Sequence, residues 1–339
     1  MPEPTVLALD VGGTKLATGV VGADGTVLSF RTVETAVHEG PDAVVGRLLD
    51  LAEKTLAEAG HPEVVAVGIG CGGPLDPDTG VILGPPGLPG WDEVPLARMV
   101  TERLGLPAYV ENDATAAALA EHRWGGWGVD SLVYLTISTG FGGGVVIDGE
   151  LFRGAAGQGG ELGHVVVDWQ GRECGCGARG CAEAYVSGTS IARRATEAVE
   201  LQQRDISAPG VEPRTPAPSG PESSLAGLPV ITARDVAEQA RLGDDLARAV
   251  WDETTAMLGR MVAVIINVCE PALVVLGGGV TRAGAFLLDP VREGALRQAM
   301  PPAAAACDVV LSHHGDRAGV LGAAAIALHR LDETGREAP

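Results

Sequence analysis

Short apolar runs broken by glycine fill the first part of the chain. "TVLALD" at 5–10 is an apolar run of strand length closing on Asp10, "VGGT" is a glycine turn, and "KLATGVV" is a second strand. "ADGTVLSF" then carries Asp24-Gly25, a dipeptide that favours a tight hairpin turn, into a third strand. At Pro41 the period changes. Val44, Val45, Leu48, Leu51, Ala52 and Leu56 recur at helical spacing and the run stops at Gly60, so residues 41–59 are predicted as an amphipathic helix. "VVAVGIG" follows as a buried strand, "VPLARMVTERLG" as a helix, "PAYVEN" as a strand and "DATAAALAEHRWG" as a helix.

The opening pattern then returns. "SLVYLTI" reads as a strand, "STGFGGG" as a glycine turn and "GVVI" as a strand, and "DGELF" opens on Asp148-Gly149. Two copies of strand, glycine turn, strand and Asp-Gly turn predict a duplicated α/β domain, at a period too long for a solenoid. Residues 244–268 form a long helix, "ALVVLGGG" a strand entering a third glycine turn, and "DRAGVLGAAAIALHRL" a final Ala-rich helix. Such alternation favours mixed or parallel sheets covered by helices. Residues 202–229, rich in Pro, Ser and Gly and poor in large apolar groups, break the pattern and are expected to be a flexible surface insertion without catalytic residues.

Composition narrows the classes of function. A chain of 339 residues, 46% of them hydrophobic, is long for one core, so two domains are expected. A formal charge of −20 disfavours nucleic acid as a partner, because phosphate backbones are bound through clustered Lys and Arg. "MPEPTVLALDVGG" lacks a basic region ahead of an apolar core, and "MVAVIINV" at 261–268 is too short to span a bilayer. A cytoplasmic protein with no membrane partner is therefore expected.

Six cysteines without an export signal point to thiols or a metal rather than disulfides. Cys71, Cys269 and Cys307 lie in apolar or Gly-rich surroundings and are expected to be buried thiols. Cys174, Cys176 and Cys181 fall within eight residues, with His164 just upstream, which is the donor set of a closed, structural Cys3His zinc site. Their spacing is not that of a zinc finger.

The glycine turns suggest the chemistry. In "LDVGGTK", Gly12 and Gly13 let backbone N–H groups face an anion and Thr14 adds a hydroxyl, a concavity suited to phosphate. Asp10, beside it, is suited to hold Mg2+ or its water shell. "STGFGGG" and "LGGGVT" offer two more such turns, although each alone is equally a tight hairpin; no P-loop pattern and no G-x-G-x-x-G opening a helix occurs. "YVENDATAAALAE" sets Glu111, Asn112 and Asp113 at a strand-to-helix junction. There Asn112 or Asp113 either caps the helix, or Asp113 takes a proton from an attacking hydroxyl while Asn112 binds neighbouring hydroxyls.

Taken together, "ALDVGGTK", "GCGGPLD", "GLPGWDEVPL", "ENDA", "STGFGGGVVIDGELFRGAAGQGGELGH", "CGCGARGCAEAYVSG" and "VVLGGGV" resemble the ROK family of sugar kinases and sugar-responsive repressors. The resemblance implies duplicated actin-like ATPase (ribonuclease H-like) α/β domains with an interdomain cleft. A small domain of residues 1–113 would be completed by the C-terminal helix 316–331, and a large domain of 114–315 would carry the zinc and the 202–229 insertion. It implies Asp113 as catalytic base, and Gly73, Asn112, Asp113, Glu161, His164 and Glu183 about the sugar. Asp10, Gly12, Gly13, Thr14 and Lys15, with Thr139, Gly140, Gly142 and Gly143, would hold the phosphates of ATP, and Gly277, Gly278 and Gly279 would lie near adenosine. His164 would bind structural zinc with one ring nitrogen and a sugar hydroxyl with the other.

Gly87 stands where many members have Asn, and the insertion is like that of longer amino-sugar kinases of the family. The expected activity is ATP-dependent, Mg2+-assisted phosphorylation of a hexose, glucose first and an N-acetylhexosamine as the alternative. A DNA-binding repressor would need a helix-turn-helix ahead of "TVLALD", and a polyphosphate kinase would want basic clusters. Resemblance also implies a homodimer or homotetramer.

Overall fold

The computed structural model describes residues 4–203 and 222–337. Its first sheet comprises β1 (Thr5–Val11), β2 (Lys15–Gly22), β3 (Val27–Glu34), β4 (Val64–Cys71) and, after the small hairpin of β5 (Leu75–Asp76) and β6 (Val81–Ile82), β7 (Ala108–Asn112). The strand order is β3-β2-β1-β4-β7. The first three strands pair antiparallel and β1, β4 and β7 run parallel, with Asp10 beside Gly70 and Gly70 beside Glu111. A single row at the carboxyl ends of the parallel strands thus collects the residues singled out by the motifs.

Strand alternation decides which way each of these points. Leu7, Leu9 and Val11 belong to the core shared with the helices α1 (Pro41–Glu58) and α2 (Leu96–Leu104). Val6 and Ala8 belong to the opposite core, with α3 (Asp113–Trp124) and the C-terminal helix. Asp10, the next residue in the Val6–Ala8 row, therefore faces that second layer. α1 starts with Pro41 in its first turn and ends before Gly60, whose φ is +81°, as the period predicts.

A second sheet comprises β8 (Leu132–Ile137), β9 (Phe141–Ile147), β10 (Glu150–Leu151), β11 (Leu273–Gly277) and β12 (Asp308–Leu311), in the order β10-β9-β8-β11-β12. Its outer pair β10 and β9 is antiparallel, and β11 and β12 are parallel. The remaining helices are α4 (Glu183–Val186), α5 (Gly188–Gln203), α6 (Ala233–Leu242), α7 (Asp245–Cys269), α8 (Ala285–Gln298), α9 (Pro301–Ala306) and α10 (Ala318–Glu337). None of the described helices is long and apolar enough to cross a membrane.

The chain gathers into two compact units: residues up to Tyr134 with Gly143–Gly160 and Ser312 onward, and Leu135–Gly142 with Glu161–Leu311. In the first, α10 lies along α3 and across β4 and β1. It comes close because β4 has no side chain at Gly68, where a Cβ would sit 1.7 Å from the Ala323 carbonyl oxygen. In the second unit α7 packs against α5, α6 and α8. The fully buried Arg194 of α5 bonds Glu253 at 2.5 Å, Thr254 and the Tyr185 carbonyl, tying α4 and α5 to α7.

Three local expectations are corrected. "STGFGGG" is not a long turn: only Ser138–Gly140 turns, and β9 already begins at Phe141, because glycines pair in a ladder when a neighbouring strand is present. Cys269 is half-buried at the end of α7, whereas Cys71 and Cys307 are buried thiols as expected. Of the insertion predicted over 202–229, residues 204–221 lie outside the described residues. The described flanks are folded: α5 continues to Gln203, and Ser224–Gly227 forms a 3-10 turn with Leu225 fully buried and Ser223 bonded to Asp244, the cap of α7.

Candidate functional site

The turn after β1 is held rigid from two sides. The Gly12 N–H donates to the Lys15 carbonyl at 3.1 Å, so it closes the hairpin instead of facing an anion as the sequence suggests. Thr35 donates its N–H to the Thr14 carbonyl and its hydroxyl to that of Gly12, at 3.0 and 2.6 Å. Gly13 is obligatory, since a Cβ there would lie 2.6 Å from the Gly87 carbonyl. Gly13, Thr14 and Lys15 remain as the exposed part of the turn, an arrangement that suits a phosphate group.

Asp10 and Asp113 come together at this end of the first unit. Asp10 reaches α10, where Gly319 leaves the room it occupies: a Cβ would be 2.2 Å from Asp10 Oδ2. Burial and the neighbouring Asp113 charge push the Asp10 carboxyl up to about 7, against the partial relief given by Lys15. Asp113 is held above the usual carboxylate range by burial, partly offset by the amides of Ala114 and of its own residue. The residue is open to solvent. Two neighbouring carboxylates that resist joint ionisation suit a divalent cation beside one and a proton on the other.

Asn112 is the residue that caps α3. Its Oδ1 accepts the Ala114 and Thr115 N–H groups at 3.0 and 3.2 Å, which leaves its amide nitrogen free to donate elsewhere. Asp113 Oδ1 also accepts from Ala114 N, at 2.8 Å. The capping reading thus falls on Asn112, and Asp113 is left with an oxygen for chemistry. Gly73 lies at the end of β4's loop, half-buried and joined to Pro74 by a cis peptide.

In the second unit, the turn Ser138–Gly140 is exposed and anchored by the start of α5: Gly188 N–H donates to the Ser138 carbonyl at 2.7 Å and the Thr189 hydroxyl to that of Thr139 at 2.9 Å. Thr139 and Gly140 are accessible here. Gly142 is half-buried and Gly143 buried, both within β9. Gly277 is the buried last residue of β11, and Gly278, at φ +87°, passes within 2.5 Å of the Ile137 carbonyl as measured from an added Cβ; Gly279 is exposed and opens a 3-10 turn.

The His and Cys cluster does assemble. Sγ atoms of Cys176 and Cys181 are 3.7 Å apart, Cys174 Sγ is 3.7 Å from His164 Nδ1, and the four donor atoms lie within 4.8 Å of one another. These separations exceed a disulfide bond and match the edge of about 3.8 Å expected for a tetrahedron with metal–sulfur bonds near 2.3 Å. Burial and the neighbouring thiols push the Cys181 thiol up to about 12, a cost that a bound cation would reverse. The set can hold a tetrahedral ion.

Around that cluster stand the other expected sugar residues. With Nδ1 turned to the cysteines, the opposite nitrogen of His164, Nε2, lies 3.9 Å from Glu161 Oε2. Glu183 accepts the Phe141 N–H at 3.1 Å through Oε2, and its Oε1 is 3.9 Å from Cys174 Sγ. It therefore links the Ser138–Gly140 turn to the metal-type cluster. Glu161 and His164 are exposed and Glu183 half-buried.

Sequence reasoning leaves two residues of this region without a role. Glu111 is named at the junction and Arg153 lies inside "GELFRGAAGQGGELGH", yet they form an ion pair at 2.7 Å with Glu111 only 1% exposed. The available signal is a carboxylate closing an otherwise apolar strand, which demands a partner.

The model of the ROK family matches residues 6–330. A glucokinase of Thermotoga maritima is 37% identical over 333 residues, covering 98% of this chain and 99% of its own. An N-acetylmannosamine kinase of Shigella flexneri is 34% identical over 95% of this chain and 98% of its own. Among solved structures, a ROK family glucokinase from Streptomyces griseus, in complex with glucose and AMPPNP, superposes with a TM-score of 0.76 at 32% identity, covering 96% of this chain and 99% of that one. A match running from β1 into α10, together with relatives more than 30% identical along nearly the whole chain, means that the chain belongs to the ROK family.

Proposed function

We propose that the protein is an ATP-dependent hexose kinase that phosphorylates the 6-hydroxyl of glucose. The observation that carries this reading is Asp113: a carboxylate at the start of α3, raised in pKa and within the electrostatic range of a second raised carboxylate, Asp10. A carboxylate more basic than free aspartate is suited to take the hydroxyl proton as the oxygen–phosphorus bond forms and ADP leaves. Asn112 keeps its amide N–H groups for sugar hydroxyls, since its oxygen is spent on the helix cap. Glu161, His164 and Glu183, with Gly73, complete the proposed sugar contacts.

Gly13, Thr14, Lys15, Thr139 and Gly140 would hold phosphate oxygens of ATP, with Gly12 closing the first turn, Gly142 and Gly143 in the strand that leaves the second, and Gly277–Gly279 beside the nucleoside. Asp10 fits a Mg2+ ion, which when bound would neutralise phosphate charge. A structural zinc on His164, Cys174, Cys176 and Cys181 would fix the ring so that Nε2 addresses the sugar. The matching strand orders of the two sheets support the duplicated actin-like architecture. A cytoplasmic homodimer or homotetramer completes the reading.

The second reading is an N-acetylhexosamine kinase, favoured by the 34% identical N-acetylmannosamine kinase. A coupled ADP-release assay with ATP-Mg2+ over glucose, mannose, fructose, N-acetylglucosamine and N-acetylmannosamine separates the two. Turnover dominated by glucose is the expected result, preference for an acetylated sugar selects the second reading, and no turnover of any of them overturns both.

A further inference from the structure

We infer that Arg153 is a positioning residue for phosphoryl transfer, acting through Glu111 on the backbone that presents Asn112 and Asp113. The inference rests on the kinase reading above and adds to it two residues that touch neither substrate in that reading.

β7 is the outermost strand of its sheet, and among the described residues one edge of it has no strand partner. Its row parity turns Glu111 to the same side as Tyr109, toward α10, while Val110 enters the opposite core. Glu111 is a carboxylate at 1% exposure, and each oxygen has a distinct task. Oε1 accepts the N–H of the very next residue, Asn112, at 3.0 Å; Oε2 accepts Nε of Arg153 at 2.7 Å. The first bond fixes the peptide from which the Asn112 cap and then Asp113 emerge. The second fixes the carboxylate itself, because a buried carboxylate oxygen without a donor is costly and the group would swing toward another partner, away from the Asn112 N–H.

Arg153 is in turn immobilised. It is 20% exposed, its Nη1 lies 3.9 Å from Glu333 on α10, and its carbonyl accepts the Gly159 N–H at 2.7 Å. That last bond closes residues 153–159 into a compact loop, which Gln158 pins to the Leu75 carbonyl at 2.6 Å. A loop that packs this tightly needs its glycines: a Cβ on Gly159 would lie 2.7 Å from the Arg153 carbonyl carbon. The guanidinium is thus a fixed point against which the end of β7 is set. Displacing a reacting group by about 1 Å costs about 100-fold in rate, so slack in this pair is read directly by the chemistry.

Lysine keeps the charge at position 153 but not the planar fork, and glutamine at 111 keeps the shape but not the charge. For Arg153→Lys and Glu111→Gln we expect kcat with the best sugar to fall at least about 10-fold. KM for ATP should stay within about twofold, because the phosphate turns are untouched. The double variant should be no worse than the weaker single one, since both break one unit. Amide hydrogen exchange of a peptide spanning Asn112 should speed up in Glu111→Gln, whatever the sugar.

Three results would overturn the inference: kcat within twofold of the parent in a variant that melts normally; a rate loss fully accounted for by a smaller folded fraction; or unchanged exchange at Asn112. Failure of the kinase reading is separately visible. In that case the parent protein turns over no sugar while the exchange result still reports on the pair.

Discussion

Single glycines set how closely the strands of the first sheet are approached. Gly68 and Gly70 are neighbours in the same row of β4, yet they face different surroundings. A Cβ at 68 would meet the Ala323 carbonyl at 1.7 Å, whereas one at 70 finds nothing nearer than 3.9 Å, the Asp113 Cα and the Gly319 carbonyl. Gly68→Ala is therefore expected to destabilise by about 2 kcal/mol or more, and Gly70→Ala by under about 1 kcal/mol. Denaturant titration of both variants checks this, and equal midpoints would show that α10 does not seat on β4 as described. Asp10 belongs to the same scale: strand alternation alone fixes its direction, and Gly319 supplies its space. Its direction was legible from "TVLALD"; its neighbour was not, because Gly319 lies more than three hundred residues away.

At the scale of elements, local signals were read well and pairings at a distance poorly. The Asp24-Gly25 hairpin, the Pro41 start of α1 and the glycine stop at Gly60 after it are written in adjacent residues, and each forms where expected. The Gly-rich run at 138–144 misled, since glycine signals permission to turn and does not say where the next ladder begins. The Glu111–Arg153 pair, 42 residues apart, left no local trace beyond an unexplained carboxylate.

α10 also carries a testable charge arrangement. His329, 13% exposed and 3.2 Å from Glu333, is held below the ordinary imidazole pKa by burial, with Arg153 and Arg330 adding to that effect and Glu333 and Glu150 opposing it. The fold thus favours the neutral ring. Its contribution is complete above the unfolded pKa of about 6.5 and is lost as pH falls below it and through the lower folded-state pKa, because the unfolded chain gains the proton more readily over that range. Thermal melting between pH 7.5 and 5.5 should fall less steeply for His329→Gln than for the parent; identical slopes would remove His329 from the account.

For the whole molecule, two five-stranded sheets share one order of pairing, and a glycine turn follows the first strand of each: Gly12–Thr14 after β1 and Ser138–Gly140 after β8. The alternation of strands and helices made the mixed α/β class legible, and the closeness of Cys174, Cys176 and Cys181 in the sequence, with His164 just upstream, made their grouping legible, because both are short-range patterns. If zinc fixes His164, the purified protein holds about one zinc per chain, and stripping it with a strong chelator raises KM for the sugar well above its effect on KM for ATP. An equal rise in both would assign the cluster to stability alone. In the proposed reaction Asp113 accepts the hydroxyl proton, and ADP release from ATP-Mg2+ and glucose, compared between the parent protein and the near-isosteric Asp113→Asn, tests this step. The account predicts glucose-dependent turnover in the parent and a kcat lower by about 100- to 10,000-fold in the variant at unchanged melting temperature; near-normal turnover by Asp113→Asn would contradict it.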